Sequence, residues 1–495
     1  MISVWFQEKN KAFSVVLFIE LWERFGYYGM QSILVLFLIQ HMKFNDHNAN
    51  LLVGAFSAMT YAAPILGGWV GDKVTGNKRA MLIGSIILAL GYLLLAFATS
   101  YTQAIYLAMA IISIGNGLFK PNAATMVRRI YENNNSQLDI AFTLYYMAVN
   151  VGSSISMLIC SLLKDHYGWS SAFVACFFGL ILGIGNYFLT QKRLWLYLPP
   201  KDKKPLHFGF NLGIIFGIGI SVIVVSFVLK SPTITKWCVA AASLLVLFIW
   251  IGIYKHTSAA GRAGLRVMYI LTLEGMLYFV FYQQMSTSLT LFAQRNVNPA
   301  FYIGSFHLFN WSPGQFQALN PIWIMVFSPL LAKIYSYFGQ ENKNLSIAIK
   351  FIIGFLFVTL AFFTWWITCW QTKTAQCSSW SMVWGYGFLS LGELLISGLG
   401  LAVIARYVPA SMNGFMTGSY FMVSGIALYI GSQIANMATS GGSMLLDAKK
   451  TLNLYQNLFF NLFILAVLAL IILIALLPFV KKWEKQHASC YLNNV

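Results

Sequence analysis

Long apolar runs separated by short polar segments are the dominant pattern of this chain. The runs lie near residues 13–41, 48–71, 79–98, 103–127, 138–163, 169–190, 209–229, 236–255, 266–294, 319–338, 346–370, 381–406, 412–438 and 455–480. A helix needs about 20 apolar residues to cross the hydrocarbon core of a bilayer. The runs also lack the alternation that strands of a membrane barrel would show. The pattern therefore predicts an all-α membrane protein with 14 transmembrane helices.

The spacing of the runs divides the chain into three parts. Six runs precede a basic linker with three prolines, two runs follow the linker, and six more come after these. We predict an N-terminal six-helix bundle at 1–190, a linker and inserted helical hairpin at 191–265, and a C-terminal six-helix bundle at 266–495. Transporters made of two such bundles bind substrate near the bilayer midplane, between the halves. The inserted pair has few polar residues, so we expect it to be structural or peripheral.

Composition strengthens the membrane interpretation. Of the 495 residues, 58% are hydrophobic and 9% are charged, whereas soluble domains carry roughly 25% charged residues. The first run contains Glu20, Glu23 and Arg24, which a cleavable signal peptide would not carry. We therefore expect this run to be a permanent transmembrane helix.

The net charge of +18 reflects membrane topology rather than nucleic-acid binding. The basic residues lie in short loops between apolar runs. With a cytoplasmic N-terminus, the inner loops hold about three times as many Lys and Arg residues as the outer loops, as the positive-inside rule requires. Both termini are therefore predicted to be cytoplasmic. The loops are short enough to favour a multi-pass protein of a bacterial inner membrane.

The first helix carries an unusual polar face. Glu20, Glu23, Arg24, Tyr27 and Tyr28 fall within an arc of about 140° at 100° per residue. Ionisable groups in mid-membrane are costly and mark functional sites or structural ion pairs. Five such groups on one face exceed what helix packing needs, so we favour the lining of a polar cavity.

Two more ionisable residues lie deep in apolar runs. Lys120 follows two glycines in the fourth run, and Glu393 lies midway along the run at 381–406. A lone carboxylate at that depth has to be protonated or paired with a cation, for which Lys120 and Arg24 are available. Glu274, near the start of the run at 266–294, is expected to be a solvated acid at a helix start.

The segment between the second and third helices carries a loop motif. Residues 67–79 read GGWVGDKVTGNKR, and glycines there permit a tight turn with close helix contacts. The pattern resembles the loop motif of the major facilitator superfamily. Its gating residues would be Gly68, Asp72, Gly76, Lys78 and Arg79.

Further motifs extend the resemblance to one family. Residues 20–28, ELWERFGYY, resemble the ExxERFxYY motif of proton-dependent oligopeptide transporters, and residues 142–153, FTLYYMAVNVGS, are similar to that family's FYxxINxGS motif. Lys120 and Glu393 fall where the family has a lysine and a glutamate. Residues 283–292 and 316–321 look most like the bacterial dipeptide and tripeptide permease branch.

The resemblance implies import of di- and tripeptides, driven by protons through alternating access. Arg24 and Lys120 would meet the peptide carboxylate, Glu393 would meet the peptide amino group, and Glu20 and Glu23 would couple protonation to substrate. The other residues implied to line the pocket are Tyr27, Tyr28, Tyr61, Asn150, Asn320, Tyr420 and Ser424. No cofactor beyond the coupling protons is expected, and a monomer would be the functional unit.

Three positions depart from the family pattern. Gln283 stands where many members have an acid, Tyr420 replaces a pocket tryptophan, and Gly398 replaces a proline after Glu393. Glu274 is a poor substitute for the missing acid, because nine residues place it on the opposite helix face and about 13 Å away. The sequence therefore leaves three points open: a gate salt bridge, the proton stoichiometry and the bend of the helix at 381–406.

Other function classes fit the sequence less well. A facilitator-type carrier or exporter of another small molecule, such as a drug or an amino acid, is the main alternative. A nitrate carrier would not need Glu393, and a sugar site would not need a central lysine. A membrane enzyme is disfavoured because the sequence shows neither an acidic metal-binding pair nor a histidine cluster, and a channel does not need a single charged midplane site.

Overall fold

The structure is a computed structural model that describes residues 8–99, 101, 103–132, 135–203, 208–340, 346–408, 412–439 and 447–492. Helices make up most of it. They are α1 (Glu8–Leu36), α2 (Asp46–Trp69), α3 (Asn77–Phe97), α4 (Ala104–Ile130), α5 (Asn135–Tyr167), α6 (Trp169–Thr190), α7 (Pro200–Lys203), α8 (Phe208–Lys230), α9 (Pro232–His256), α10 (Ala259–Tyr282), α11 (Ser288–Asn296), α12 (Leu319–Gln340), α13 (Ile347–Gln371), α14 (Trp380–Ile396), α15 (Gly400–Tyr407), α16 (Asn413–Ala435) and α17 (Ala448–Leu492).

Thirteen helical segments among the described residues are long and apolar enough to cross a membrane. Helix α1 is not one of these, because Glu20, Glu23 and Arg24 lie close together near its middle. Its 29 residues nevertheless rise about 1.5 Å each, which is more than a bilayer core requires. With α1, the spans match the predicted count, and the predicted all-α membrane fold is confirmed.

Several helices are interrupted or extended by tighter or wider turns. A π-helical turn, Val70–Thr75, continues α2 into the loop motif. A 3₁₀ turn, Gln283–Ser286, separates α10 from α11, and another, Ser397–Leu399, separates α14 from α15. Single turns of this kind within long helices are common at functional positions. Each of these three turns adjoins residues that the sequence singled out.

Two features differ from the sequence-based expectation. Helix α10 begins at Ala259 rather than near residue 266, so Glu274 lies about four turns inside the helix and is half-buried. The prediction of a solvated helix-start acid is therefore wrong. The segment before α12 also forms an antiparallel hairpin of β1 (Ala300–Ile303) and β2 (Phe306–Asn310). Gly304 turns this hairpin with a φ of 61°, which favours glycine.

The helices cluster into two compact units. The first comprises residues 1–44 and 55–235, and the second comprises residues 45–54 and 236–495. In the first unit, α1 packs on α5 and α6, α3 packs on α4, and the inserted helix α8 contacts α4. In the second unit, α13 packs on α14 and α17, and α10 packs on α16 and α17. The predicted division into three parts stays a prediction.

Glycines allow α2 and α4 to pack closely in the first unit. A Cβ atom added to Gly67 of α2 would collide with the backbone of Gly117 in α4. Helices that approach this closely have no room for a side chain between them. The close approach occurs next to Asn116 of α4, which donates a hydrogen bond to Glu23.

Candidate functional site

The charged residues of α1 form a buried cluster in the first unit. Glu20, Glu23 and Arg24 are between 0% and 2% exposed. The Arg24 Nε group donates a hydrogen bond to the Glu23 carboxylate and lies 3.3 Å from Oε1 of Glu20. The helical spacing of one turn between Glu20 and Arg24 makes the second contact possible. The predicted polar face of α1 is therefore one ion-pair cluster.

Neighbouring helices complete the hydrogen bonding of the two carboxylates. Asn116 Nδ2 of α4 donates to Glu23 Oε1 over 3.2 Å. The Tyr145 hydroxyl of α5 donates to Glu20 Oε2 over 2.5 Å. Buried carboxylates require such partners, because an unpaired charge in a low-dielectric interior is very costly. Neither Asn116 nor Tyr145 was predicted to be a site residue, although Tyr145 lies within the motif at 142–153.

Arg24 keeps one donor group unused. Its guanidinium lies 5.3 Å from the ring centre of Tyr27 and 5.9 Å from that of Tyr28. Its Nη2 atom is buried and has no hydrogen-bond partner among the described residues. Two carboxylates and one guanidinium leave an excess negative charge when both acids are ionised. The cluster can therefore take up a proton, and it presents a free N–H donor for an anionic group.

The other predicted residues of the first unit surround this cluster less directly. Lys120 is half-buried, and its Nζ lies 5.4 Å from the ring centre of Tyr61. Asn150 is 4% exposed, and its Nδ2 donates to the Tyr146 carbonyl of its own helix over 2.7 Å. Lys120 is therefore a half-buried cation beside an aromatic ring. Asn150 uses its amide donor within α5.

In the second unit, Glu393 is the centre of a smaller polar group. Asn320 Nδ2 donates to Glu393 Oε2 over 2.8 Å and lies 3.0 Å from Ser390 Oγ. The Tyr278 hydroxyl lies 3.5 Å from the same Glu393 oxygen. Asn320 was predicted, whereas Tyr278 was not, because nothing near it in the sequence marks it as polar lining. Within the second unit, as far as it is described, Glu393 forms no ion pair.

Tyr420 and Ser424 lie together on α16. Tyr420 is 5% exposed, and a Cβ atom added to Gly400 would collide with its hydroxyl. The Ser424 hydroxyl is buried and donates to the Tyr420 carbonyl over 2.9 Å. Ser424 therefore uses its donor on its own helix. The Tyr420 ring packs against the break between α14 and α15, at which Gly398 has open space around it.

Gln283 occupies a neutral hydrogen-bonded network. Its Nε2 donates to Ser432 Oγ over 3.0 Å, and the adjacent Gln284 donates to the Gly431 carbonyl over 2.9 Å. Both side chains are buried. The position at which many family members carry an acid thus links the 3₁₀ turn after α10 to α16 through uncharged groups. A carboxylate here would need a proton or a cation that this network does not supply.

The loop motif between α2 and α3 is bound by the linker that follows α6. The backbone N–H groups of Lys78 and Arg79 donate to the Asp202 carboxylate over 3.0 and 3.2 Å. Gly76 has a φ of 93° and approaches the same carboxylate so closely that a Cβ atom would collide with it. Asp202 therefore caps the start of α3. No local sequence pattern marks Asp202 for this role, because it lies in a basic, proline-containing linker.

The remaining residues of the motif hold the loop in place. Asp72 accepts a hydrogen bond from Asn77 Nδ2 over 2.9 Å. Arg79 donates to the carbonyls of Lys201 and Asp202 over 3.2 and 3.0 Å. Gly68 lies against Pro121 of α4. These contacts join the ends of α2, α3 and the linker into one ordered corner of the first unit.

Comparison with known proteins decides the family. The model of the POT family matches residues 78–452, which is well over half of the chain. This protein belongs to the POT family. The resemblance noted in the sequence motifs is thereby confirmed.

Curated relatives of the POT chain cover nearly its whole length. Dipeptide and tripeptide permease A of Pectobacterium carotovorum subsp. carotovorum is 37% identical, over 97% of this chain and 94% of the relative. Dipeptide and tripeptide permease B of Yersinia enterocolitica is 34% identical, over 97% of each chain. These relatives are permeases rather than enzymes. The POT chain is accordingly a multi-pass transporter of the bacterial inner membrane.

Solved structures agree with the fold. Tetrameric PepTSo2 is 43% identical, with a TM-score of 0.88 over 96% of this chain and 100% of the other. A bacterial homologue of the human drug peptide transporters PepT1 and PepT2 is 44% identical, with a TM-score of 0.86 over 96% and 99% of the two chains. The POT chain therefore has a fold of the major facilitator type.

Proposed function

We propose that this protein is a proton-coupled symporter that imports di- and tripeptides by alternating access. The observation that carries the proposal is the buried cluster of Glu20, Glu23 and Arg24, in which one guanidinium donor remains unused. A cluster with two acids and one base can exchange a proton and bind an anionic group with the same residues. The permease names of the relatives, which cover this chain almost completely, support peptides as the substrate class.

The chemistry of a short peptide fits the charges on the two units. A peptide at neutral pH is a zwitterion with a carboxylate at one end and an ammonium at the other. We assign its carboxylate to Arg24 and Lys120 of the first unit, and its ammonium to Glu393 of the second. The side chains proposed to line the pocket are Tyr27, Tyr28, Tyr61, Asn150, Asn320, Tyr420 and Ser424. Aromatic and amide groups tolerate many different peptide side chains.

Coupling follows from the shared use of Arg24. A proton on Glu23 removes the partner that holds Arg24 Nε, and a proton on Glu20 weakens the second contact. Arg24 is then free to pair with a peptide carboxylate instead. A ligand shifts a conformational equilibrium only through its different affinity for the two states. In this proposal the protonated cluster raises the affinity of one state for peptide.

Topology and assembly complete the proposal. We assign both termini to the cytoplasm, because most basic residues lie in the loops that this orientation makes cytoplasmic. The loop motif with Gly68, Asp72, Gly76, Lys78 and Arg79 then lies at the cytoplasmic face and would take part in gating. A single chain is proposed as the transport unit, with protons as the coupling ion and no cofactor. A similar protein of known structure is described as tetrameric. The molecular mass of this protein in lipid discs would test whether the transport unit is a single chain.

Uptake into proteoliposomes tests the function. Labelled Ala-Ala is expected to accumulate in vesicles with wild-type protein when an inward proton gradient is imposed. Glu23→Gln is expected to abolish accumulation while retaining exchange of peptide for peptide, because a permanently neutral side chain removes coupling but leaves Arg24. Glu8→Gln is a matched control, since Glu8 is an exposed acid of the same helix whose ion pair is to Lys11. Absence of peptide movement by folded wild-type protein under any gradient would overturn the proposal.

A further inference from the structure

An apolar groove lies between the inserted helix α8 and helices α2 and α4 of the first unit. Its volume is about 540 Å³. Helices α2, α4 and α8 supply its walls, which consist of Ala63, Leu66, Gly67, Trp69, Val70, Val74, Ile114, Leu118, Gly213, Ile214, Gly217, Ile218 and Ser221. Among the residues that the structure describes, no Lys, Arg, Asp or Glu side chain lines it. It is separate from the ion-pair cluster of α1, none of whose residues contributes to its walls.

Glycines on α8 create the groove. Gly213 and Gly217 are one turn apart on the same side of α8, and a Cβ atom added to either would meet nothing within 4 Å. The one polar side chain of α8 in the walls, Ser221, donates its hydroxyl to the Gly217 carbonyl of its own helix over 2.8 Å. The wall of α8 is therefore apolar as well as recessed, although the helix contacts α4.

The dimensions of the groove match one leaflet of a bilayer. From Gly213 to Ser221 the helix rises about 12 Å, and the hydrocarbon of a single leaflet is about 15 Å thick. The rim is exposed, since Leu66 and Trp69 are 66% and 59% exposed. An occupant must therefore be apolar, elongated and able to enter sideways from the bilayer.

The end of the groove near Val74 carries cationic groups. Lys73, the neighbour of Val74, is exposed. Lys201 of the linker places its Nζ on the carbonyls of Asp72 and Lys73, over 3.1 and 2.5 Å. The exposed Asp72 carboxylate is also present there, so the two ammonium groups leave a net positive charge. Basic residues beside grooves between transmembrane helices attract anionic lipid headgroups.

We infer that this groove binds one acyl chain of an anionic phospholipid, whose headgroup lies beside Lys73 and Lys201. With the termini in the cytoplasm, the lipid belongs to the cytoplasmic leaflet. Helix α8 would then be attached to α2 and α4 partly through a bound lipid rather than by direct packing alone. This gives the inserted hairpin a specific role, and it does not depend on which substrate is transported.

Retention of lipid by the purified full-length protein tests the inference. Delipidated protein is titrated with phosphatidylglycerol or with phosphatidylcholine of the same acyl chains, and bound lipid is counted by native mass spectrometry. We compare the two proteins at a lipid concentration at which wild type retains one phosphatidylglycerol per chain. Gly217→Leu is expected to retain about tenfold less under the same conditions. Gly219→Leu is the matched control, because Gly219 also has open space around it but does not line the groove.

A second pair of variants tests the headgroup. Lys73→Gln is expected to remove the preference for phosphatidylglycerol over phosphatidylcholine, whereas Lys192→Gln, an exposed lysine of the same predicted face, should keep it. Thermal unfolding confirms that each variant is folded. Equal lipid retention by wild type and Gly217→Leu would overturn the acyl-chain site. Equal retention of the two lipids by wild type would overturn the anionic headgroup.

Discussion

Asp46 and Arg295 form a bidentate ion pair in the second unit. Arg295 Nη1 lies 2.6 Å from Asp46 Oδ2, and Nη2 lies 2.8 Å from Oδ1. Asp46 is the first residue of α2, and Arg295 lies in the last turn of α11. Their side chains are only 20% and 27% exposed. Because bidentate pairs combine charge with fixed geometry, this contact fastens the start of α2 to the end of α11.

Breaking this pair should destabilise the protein. We expect Asp46→Asn to lower the free energy of unfolding by about 1–2 kcal/mol, because Arg295 is then left partly buried without its counter-charge. Thermal unfolding in detergent measures the change. The double variant Asp46→Arg with Arg295→Asp should recover most of the loss, since it restores opposite charges. Equal destabilisation by the single and the double variants would contradict this account.

The sequence predicted the features that depend on local geometry. The positions of Glu20, Glu23 and Arg24 on one face of α1 follow from helical periodicity, and the structure places them in one cluster. The number of membrane spans follows from the lengths of the apolar runs. Such patterns need no knowledge of distant residues.

The features that were missed depend on contacts between distant parts of the chain. Asp202 is 124 residues from Lys78, whose backbone N–H donates to it at the start of α3. Tyr278 is 115 residues from Glu393, which its hydroxyl contacts. Neither residue belongs to a local pattern that marks it. The turn between α14 and α15 is an intermediate case. Gly398 was noted in the sequence, but only the structure shows that it lies in a 3₁₀ turn.

The cap on α3 provides a test of the linker. Asp202→Ala should lower the free energy of unfolding by about 1 kcal/mol, because the N–H groups of Lys78 and Arg79 lose their acceptor. Asp202→Asn should cost less, since its amide oxygen still accepts one hydrogen bond. Thermal unfolding of both variants measures the order. An alanine variant as stable as wild type would show that the cap is dispensable.

The same residue gives the stability a dependence on pH. Burial raises the pKa of the Asp202 carboxyl, against the opposing effects of the Lys78 and Arg79 backbone hydrogen bonds. A group whose pKa is higher in the folded state stabilises the protein at low pH and loses that effect as the pH rises. The unfolding free energy of wild type, relative to Asp202→Asn, should therefore decrease from about pH 4 upwards. A difference that increases with pH would contradict the sign of this shift.

The polar group around Glu393 predicts how the peptide amino end is bound, under the proposed function. Asn320→Ala should weaken dipeptide binding severalfold, because Glu393 loses its 2.8 Å donor and is no longer fixed in position. Tyr278→Phe should have a smaller effect, since its hydroxyl is 3.5 Å away. Competition with labelled Ala-Ala measures both affinities. An N-acetylated dipeptide lacks the ammonium group and is the control ligand. Its weak binding should be insensitive to Asn320→Ala. Equal losses of affinity for both ligands would instead indicate a general structural effect.

The close contact between Gly400 and Tyr420 predicts opposite outcomes for two neighbouring glycines. Gly400→Ala should destabilise the protein and reduce uptake, because its Cβ would collide with the Tyr420 hydroxyl and ring. Gly398→Ala should be tolerated, since a Cβ there meets nothing within 4 Å. Thermal unfolding and Ala-Ala uptake by the two variants form the comparison. Truncation of the ring in the double variant Gly400→Ala with Tyr420→Ala should relieve the collision and raise stability above that of Gly400→Ala alone. Equal losses of stability in the two glycine variants would contradict this account. They would indicate that these positions need the backbone freedom of glycine in the turn between α14 and α15, and that the contact with Tyr420 is not the reason.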